Sequence, residues 1–289
     1  MAKRRIAILM HEADDEQTLA AFLITELAEH WREDGHQVEF LFGTKRFVPA
    51  DLIFVHVDLS VVPDNYLAFA GRYPIAVNGC VKDIRKSIYS QGLLESGDAW
   101  DGPVIVKSNR NFAGAPERAR SGFLGKVRQQ LLHEMNRLNL ALLIPSLRTP
   151  LDYRVYPHLR EVPSLYFYHP GLIVQKFMPE MEGGMYCVRL MSFLGDRVTC
   201  TRLRGKHPIV NGKTTEVVDH EIELHPEMLA MRDRLKFDYG KFDYVVVDGR
   251  AILLDANKTV GCSQNLLGND EMRVRRRYRA EGLYSYFKD

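Results

Sequence analysis

The sequence has few cysteines and no long apolar run. Its 289 residues include only Cys80, Cys187, Cys200 and Cys262, which are scattered and form no C-x-x-C pair. This spacing argues against a zinc site and against a disulfide scaffold, and it suits a reducing cytoplasm. No segment approaches the roughly 20 apolar residues of a membrane helix. We therefore expect a cytoplasmic protein that does not span a membrane.

An excess of charge of one sign is also missing. The 39 basic and 37 acidic residues give a formal charge of +2, which argues against a nucleic-acid partner. The basic run EMRVRRRYRAEG near the C-terminus is typical of a helix with one solvated face. With 46% hydrophobic and 26% charged residues, the chain has the composition of a globular protein with a sizeable core. Nothing in the sequence decides its oligomeric state, and a homo-oligomer is compatible with it.

The first part of the chain predicts an α/β fold. The apolar strands RIAILM, HQVEFLF and DLIFVHV are accompanied by a helical pattern from Glu16 to Arg32. Strands connected through helices imply a parallel sheet, so we expect a small open parallel α/β domain over residues 1–78. The segment HEADDEQ follows the first strand where a dinucleotide-binding domain would carry G-x-G-x-x-G. A Rossmann dinucleotide site is thereby disfavoured.

Two further regions follow. Residues 79–170 contain the strand PVIVK, the polar loop SNRNFAG and a long helical pattern that runs through Asn139. Residues 171–289 begin with GLIVQKF and continue through two strands and a helical pattern from Pro226 to Phe237. They then reach two strands, KFDYVVV and AILLDAN, which the turn VDGR folds into an antiparallel hairpin.

This hairpin carries the most informative polar residues. Asp255 and Asn257 end a strand that is otherwise apolar, and the period of two aims both side chains to one face of the sheet. Asp243 interrupts the neighbouring strand, where the hairpin can bring it close to Asp255. Two carboxylates on one face repel each other unless a cation lies between them, and oxygen ligands suit Mg²⁺. The alternative is a simple turn, in which Asp and Asn bond the local backbone.

Three other features have similarly ordinary alternatives. Lys107 ends the strand PVIVK beside the Asn- and Gly-containing loop and could reach phosphates, although most lysines at strand ends are solvated. The segment LIVQKFMPE could offer backbone groups and apolar walls to an adenine, or it could be a core strand that meets a turn. Three arginines project from strands and could bind phosphate or form local salt bridges: Arg189, Arg202 and Arg204.

Taken in order, these features resemble the ATP-grasp superfamily, in particular the RimK and glutathione-synthetase-like ligases. The resemblance covers nearly the whole chain and implies a two-part ATP-grasp fold preceded by the small α/β domain. In that family the closing motif is usually Glu, one residue and Asn, often followed by a Pro-Gly turn. This chain has DANKTVG instead. The change from Glu to Asp preserves the charge but shortens the reach, and Lys258 to Val260 replace the small residues of the common pattern.

The resemblance also implies roles for individual residues. Those that match the ATP-binding positions are Lys86, Lys107, Gln175, Lys176, Phe177, Met178 and Glu180, with Lys82 competing for the role of Lys86. Those that match the magnesium ligands are Asp243, Asp255 and Asn257. Arg189 matches an arginine near the transferring phosphate, and Arg202 or Arg204 would hold the acyl phosphate or an acidic substrate.

The activity that the resemblance implies is ligation. ATP and Mg²⁺, or alternatively Mn²⁺, would activate a small-molecule or peptide carboxylate as an acyl phosphate for attack by an amine. Lysines, arginines and the cation would lower the barrier by positioning and by neutralising charge. Two other functions remain open at this point, an ATP-grasp kinase that phosphorylates a hydroxyl group and a nucleotide-binding module without catalysis.

Overall fold

The structure is a computed structural model that describes residues 2–120, 147–262 and 269–287. The central part of the helix expected to run through Asn139 lies outside these ranges. Within them, no helix combines the length and the apolar character needed to cross a membrane. The described residues form three sheets. Their registers decide which side chains can meet at a site.

The N-terminal sheet is parallel, as predicted. Its strands have the order β2-β1-β3-β4 and are β1 Arg5–Met10, β2 Gln37–Phe42, β3 Leu52–Val55 and β4 Ala76–Val77. The helices that accompany it are α1 Glu16–Leu19, α2 Leu23–Glu33 and α3 Asp64–Ala70. Trp31 of α2 is fully buried and its ring stacks 5.1 Å from that of Phe54 on β3. Burial of large aromatic rings between helix and sheet is a major source of stability.

The central sheet is small and antiparallel. Its strands have the order β6-β5-β7 and are β5 Val104–Ser108, β6 Arg154–Tyr156 and β7 Leu172–Lys176. The short helix α4 Lys86–Tyr89 precedes this sheet, and a 3₁₀ turn, Asn111–Gly114, leads from β5 into α5 Ala115–Ala119. β7 lies beyond the boundary expected at residue 171, yet it pairs with β5. The strand LIVQK is thus part of the central sheet.

The C-terminal sheet is larger and also antiparallel. Its strands have the order β11-β10-β9-β12-β13, with β8 paired to β9, and are β8 Glu180–Glu182, β9 Met185–Leu194, β10 Arg197–Gly205, β11 Val217–His220, β12 Tyr239–Val247 and β13 Arg250–Asn257. Helix α6, Pro226–Arg234, buries Met228 and Met231 against one face of this sheet, in a cluster that includes Phe242 and Tyr244. Helix α6 therefore covers this face of the sheet.

The N-terminal and C-terminal parts share one core. Helix α7, Asn269–Ala280, packs on α2, and Trp31 Nε1 donates a hydrogen bond to the Ala280 carbonyl at 2.8 Å. Tyr239 at the start of β12 belongs to the same buried cluster as Trp31. Because this cluster is continuous, the N-terminal sheet is held in a fixed position against the C-terminal sheet.

Asn78 joins the two parts through polar bonds. Its side chain accepts from the amides of Asp238 and Tyr239 at 3.0 and 3.1 Å and donates to the Tyr239 carbonyl at 2.8 Å. Asn78 is only 1% exposed, and its φ of 58° is in the left-handed region that asparagine tolerates better than most residues. Alanine lacks the carboxamide that makes these bonds and tolerates this φ less well than asparagine.

We expect Asn78→Ala to lower the free energy of unfolding by about 3 kcal/mol, since it leaves several buried backbone groups without partners. Urea unfolding measures this loss. Asn65→Ala, at an exposed position on α3, is the control and should change the free energy by less than about 0.5 kcal/mol. Equal stability of the two variants would show that the Asn78 bonds do not hold the domains together.

Candidate functional site

The hairpin β12–β13 places two carboxylates side by side. Asp243 is the register partner of Asp255, and Lys241 is the partner of Asn257. Paired residues share a face of the sheet and strands alternate with a period of two, so these four side chains lie on one face. It is the face opposite α6, because Phe242 and Tyr244 alternate with them and pack against that helix. The hairpin predicted from the sequence is confirmed.

Each carboxylate has a lysine against it. Lys86 Nζ on α4 lies 2.9 Å from Asp255 Oδ1, which also accepts a hydrogen bond from the Tyr89 hydroxyl at 3.0 Å. Lys241 Nζ lies 3.0 Å from Asp243 Oδ1 and donates to Oδ2 at 3.2 Å. The Tyr89 hydroxyl in turn accepts from the amide of Ala256 at 3.0 Å. A short helix of the central region is thereby fixed on the edge strand β13.

Burial and neighbouring charges shift the pKa values of Asp243, Lys86 and Lys107. Burial raises the pKa of Asp243, and the neighbouring Asp255 raises it further against the effect of Lys241. Burial lowers the pKa of Lys86, but the charge and hydrogen bond of Asp255 together with nearby Tyr153 and Asp243 outweigh burial, and the net pKa is raised. Burial and the charge of Lys86 together lower the pKa of Lys107 to about 7. Lys107 is therefore the lysine of the cluster that most lacks an anion.

Lys107 and Gln175 lie on the same face of the central sheet. Lys107 pairs with Ile173 and Ile105 pairs with Gln175, so the period of two aims both polar side chains away from the core that holds Val104 and Val106. Gln175 is 1% exposed, and its Nε2 donates to the Gln91 carbonyl at 2.8 Å. Its Oε1 is buried and accepts no hydrogen bond from any residue that the structure describes. A buried acceptor of this kind requires a partner.

The hinge segment, Lys176 to Met178 from the end of β7 toward β8, makes contacts of other kinds. Lys176 alternates to the other face, where its Nζ lies 4.3 Å from the centre of the Trp100 ring. The Phe177 amide donates to the Pro103 carbonyl at 2.9 Å, and its ring lies 6.4 Å from that of Tyr186. Met178 is half-buried between β7 and β8. The hinge backbone is therefore fixed by the start of β5.

The loop after β5 has an unusual backbone. Phe112, Ala113 and Gly114 follow one another with φ values of 44°, 53° and 76°. Left-handed conformations at non-glycine residues are rare and are maintained only by surrounding contacts. One such contact is the bond from the Arg118 guanidinium to the Ala113 carbonyl, at 2.5 Å. Lys86 Nζ also reaches this loop, because it donates to the Arg110 carbonyl at 3.2 Å.

Asn257 makes the turn that the sequence left as an alternative. Its Oδ1 accepts from the Thr259 amide at 2.9 Å, which is a common arrangement after a strand. The Thr259 hydroxyl lies 3.2 Å from the same oxygen but also donates to Asp58 Oδ1 at 2.6 Å. The turn therefore exists, and it leaves Asn257 on the face that carries Asp243 and Asp255.

The predicted arginines do not join this cluster. Arg189 pairs in register with Tyr244, so it lies on the face that packs against α6. It forms a two-point ion pair with Glu180, at 2.8 to 3.0 Å, and Glu180 also accepts from the Val246 amide at 2.7 Å. Arg202 and Arg204 share that face and both bond Asp219 at 2.9 Å. The register thus separates the arginines and Glu180 from the facing carboxylates.

Three residues of the cluster were not singled out from the sequence. Lys241 stands two positions before Asp243, and this spacing on one strand was a usable signal for a shared face. Tyr89 follows Lys86 by three residues, which is a helical neighbour spacing. Tyr153 is close enough to Lys86 and Asp255 for their charges to act on its hydroxyl, and it carries no such signal. Lys82, the competitor of Lys86, instead pairs with Asp64 at 2.6 Å on the exposed surface.

A titration tests the electrostatics of this cluster. We expect ¹⁵N-lysine NMR to show one signal that titrates near pH 7 and a second near pH 8, because burial lowers the pKa of Lys107 to about 7 and that of Lys258 to about 8, and we expect added ATP to raise the pKa of Lys107. The signal near pH 7 should be lost in Lys107→Met and retained in Lys206→Met, which removes a lysine that is 81% exposed. A spectrum in which no lysine titrates near neutrality would contradict the burial of Lys107 beside the charge of Lys86.

Comparisons with known proteins identify the fold. No protein-family model and no curated protein matches the sequence. The solved structure of D-alanine–D-alanine ligase from Bacillus anthracis matches with a TM-score of 0.51 and 12% identity, covering 99% of this chain and 96% of that one. The same ligase complexed with ATP gives a TM-score of 0.50 and 13% identity, covering 96% and 94%. At such identities a match establishes the fold alone, and the chain has the ATP-grasp fold that its sequence predicts.

Proposed function

We propose that the chain is an ATP- and Mg²⁺-dependent ligase, which activates a carboxylate as an acyl phosphate for attack by an amine. The observation that carries this proposal is the pair Asp243 and Asp255, facing each other among lysines from helix α4, strand β5 and strand β12. Such a cluster matches a nucleoside triphosphate with its cation, since the carboxylate oxygens suit the cation and the ammonium groups suit the phosphates. The fold adds support, because both matching structures are of a D-alanine–D-alanine ligase.

The central sheet offers positions for both ends of the nucleotide. Lys107 would neutralise phosphate charge at one end of the shared face, and its lowered pKa means that an anion would restore its proton. Gln175 lies further along the same face, with Oε1 free to accept from the exocyclic amino group of adenine. Phe177 and Met178 would supply apolar walls. One face of three strands can therefore orient ATP with its phosphates toward β12 and β13.

The acidic residues fit a hard cation. Asp243 Oδ1 is buried and has no hydrogen bond of acceptable geometry within the described ranges, despite the nearby Lys241. Asp255 and Asn257 add two further oxygen donors on the same face, and Mg²⁺ prefers oxygen ligands supplemented by water and phosphate. No group of three or more His, Cys, Asp or Glu residues suited to a metal occurs in the described part of the chain. When bound, Mg²⁺ or Mn²⁺ would neutralise charge on the phosphates.

The protein residues then act by position and charge. In the first step a carboxylate oxygen of the substrate attacks the γ-phosphorus of ATP, and ADP leaves. In the second step an amine attacks the carbonyl carbon of the acyl phosphate and expels inorganic phosphate, with loss of a proton from nitrogen. Lys86, Lys107 and Lys241 would hold the phosphate oxygens in both steps. No protein nucleophile is needed for this chemistry.

The first test compares two aspartates of one hairpin. Asp255→Asn removes the charge that faces Asp243 and should reduce Mg²⁺-dependent phosphate release from ATP by about 100-fold or more. Asp248→Asn, in the exposed turn of the same hairpin, should retain the wild-type rate. Phosphate release is measured over panels of carboxylates and amines, and trapping with hydroxylamine would reveal the acyl phosphate.

The outcomes separate the possible functions. A stable phosphorylated product that forms without an amine would replace the ligase by a kinase. Binding of ATP and Mg²⁺ without any turnover would replace it by a nucleotide-binding module. Unchanged phosphate release in Asp255→Asn would remove the assignment of the site itself.

A second test concerns the adenine. Gln175→Leu should weaken ATP binding by about 5- to 10-fold, because one hydrogen bond to the exocyclic amino group is lost. Purine riboside triphosphate lacks that group, so its dissociation constant should change much less on the same substitution. Calorimetric titration of both nucleotides against both proteins gives the comparison. An equal loss for the two nucleotides would show that Gln175 only supports the hinge.

A further inference from the structure

The turn after β13 is anchored on the N-terminal domain by two side chains. Lys258 and Thr259 are 0% and 3% exposed, although both are polar. Lys258 Nζ donates to the Leu59 carbonyl, and the Thr259 hydroxyl donates to Asp58 Oδ1 at 2.6 Å. Asp58 and Leu59 follow strand β3 at the carboxyl edge of the parallel sheet. The residues that depart from the family's closing motif thus make specific contacts with another domain.

The hydroxyl proton of Thr259 has two acceptors within reach. Asp58 Oδ1 lies at 2.6 Å and carries a charge, whereas Asn257 Oδ1 lies at 3.2 Å and is neutral. Shorter, charge-assisted hydrogen bonds are the stronger ones, so the proton goes to Asp58. A carboxamide oxygen has two lone pairs, and the Thr259 amide uses one of them at 2.9 Å. The second lone pair of Asn257 Oδ1 therefore stays open.

We propose that Asp58 is a positioning residue, which keeps Asn257 Oδ1 available to the cation by holding the Thr259 hydroxyl away from it. This inference rests on the proposed function, since it concerns the same cation. Without the carboxylate, the hydroxyl would turn by a simple rotation and donate to Asn257 Oδ1. Both lone pairs would then be occupied, and Asn257 could bind the cation only by breaking a hydrogen bond.

The other contacts of Asp58 allow the effect to be isolated. Arg120 Nη1 donates to Asp58 Oδ2, but only at 3.4 Å. The principal partner of Arg120 is Asp14, whose Oδ1 accepts from two guanidinium nitrogens at 2.9 and 2.6 Å. Loss of the Asp58 carboxylate leaves this pair intact. The bond with Thr259 is thus the shortest that Asp58 makes among the described residues. Burial lowers the pKa of Lys258, and the Asp58 carboxylate raises it by its charge, an effect that Thr259→Val does not cancel.

The experiment is a double-mutant cycle between Asp58 and Thr259, in which the measured quantity is the affinity for Mn²⁺. Electron paramagnetic resonance measures the dissociation constant of Mn²⁺ in the presence of a non-hydrolysable ATP analogue, without any turnover. Asp58→Ala should weaken Mn²⁺ binding by about 10-fold, as is typical for groups that orient a metal ligand. In a Thr259→Val background the same substitution should have no effect, because no hydroxyl remains to occupy Asn257. Equal weakening in both backgrounds would overturn the proposal.

Two further variants guard against loss of folding. Asp58→Asn preserves the shape of the side chain and offers a weaker acceptor, so it should weaken Mn²⁺ binding less than Asp58→Ala, and Thr259→Val should again cancel the effect. Asp51→Ala is the control, since Asp51 accepts from the Arg5 amide at 2.7 Å at the opposite end of β3. It should leave Mn²⁺ binding unchanged. Urea unfolding of each variant shows which of them are folded.

Asp255→Asn separates failure of this proposal from failure of the proposed function. If Asp255→Asn weakens Mn²⁺ binding and Asp58→Ala does not, the site stands and the role of Asp58 is refuted. If the wild-type protein binds no Mn²⁺ with the ATP analogue, or if Asp255→Asn binds it normally, both proposals fail together.

Discussion

The facing pair Asp243 and Asp255 is the constraint on which the rest of the site depends. Two carboxylates in register on adjacent strands repel each other, and burial adds to the cost of ionising Asp243. The structure offsets this cost with lysines, one from the same strand and one from helix α4 of the central region. The ion pair of Lys86 with Asp255 therefore joins helix α4 of the central region to the C-terminal sheet. A buried lysine without that carboxylate would be equally costly.

This arrangement leaves an electrostatic imbalance at Lys107. Lys86 and Lys241 each have a carboxylate at ion-pair distance, whereas Lys107 is buried beside a like charge and its pKa falls to about 7. Two buried oxygens also lack a well-oriented hydrogen bond within the described residues, Asp243 Oδ1 and Gln175 Oε1. Unsatisfied buried groups of both kinds are unusual in a folded chain unless a ligand completes them. A nucleotide with its cation supplies an anion, a donor and a metal at once.

The sequence predicted the parts of this site that depend on local pattern. The VDGR turn and the apolar strands around it predicted the hairpin that carries Asp243 and Asp255, and the order of strands and helices indicated the parallel N-terminal domain. The arginines illustrate what pattern cannot supply. Alternation along β9 shows that Arg189 and Leu190 point to opposite faces, but only the packing of α6 decides which face is closed. From the turn alone Asp243 would pair with Leu254. The bulge beside Tyr244 shifts the β12–β13 register by one residue and brings Asp255 opposite Asp243, and it has no clear signature in the sequence.

The segment DANKTVG also has contacts that its sequence alone does not reveal. Read alone, DANKTVG offers a shortened acid and a turn without Pro-Gly, and both changes suggest a weakened site. In the folded chain, Lys258 and Thr259 bond the segment after β3, which lies about two hundred residues earlier in the sequence. A Pro-Gly turn would be rigid by itself, because proline fixes φ and glycine permits the turn. Here contacts with the N-terminal domain fix the turn instead. The geometry of Asn257 therefore depends on the position of the N-terminal sheet, which Asn78 and Trp31 hold by hydrogen bonds to the C-terminal part.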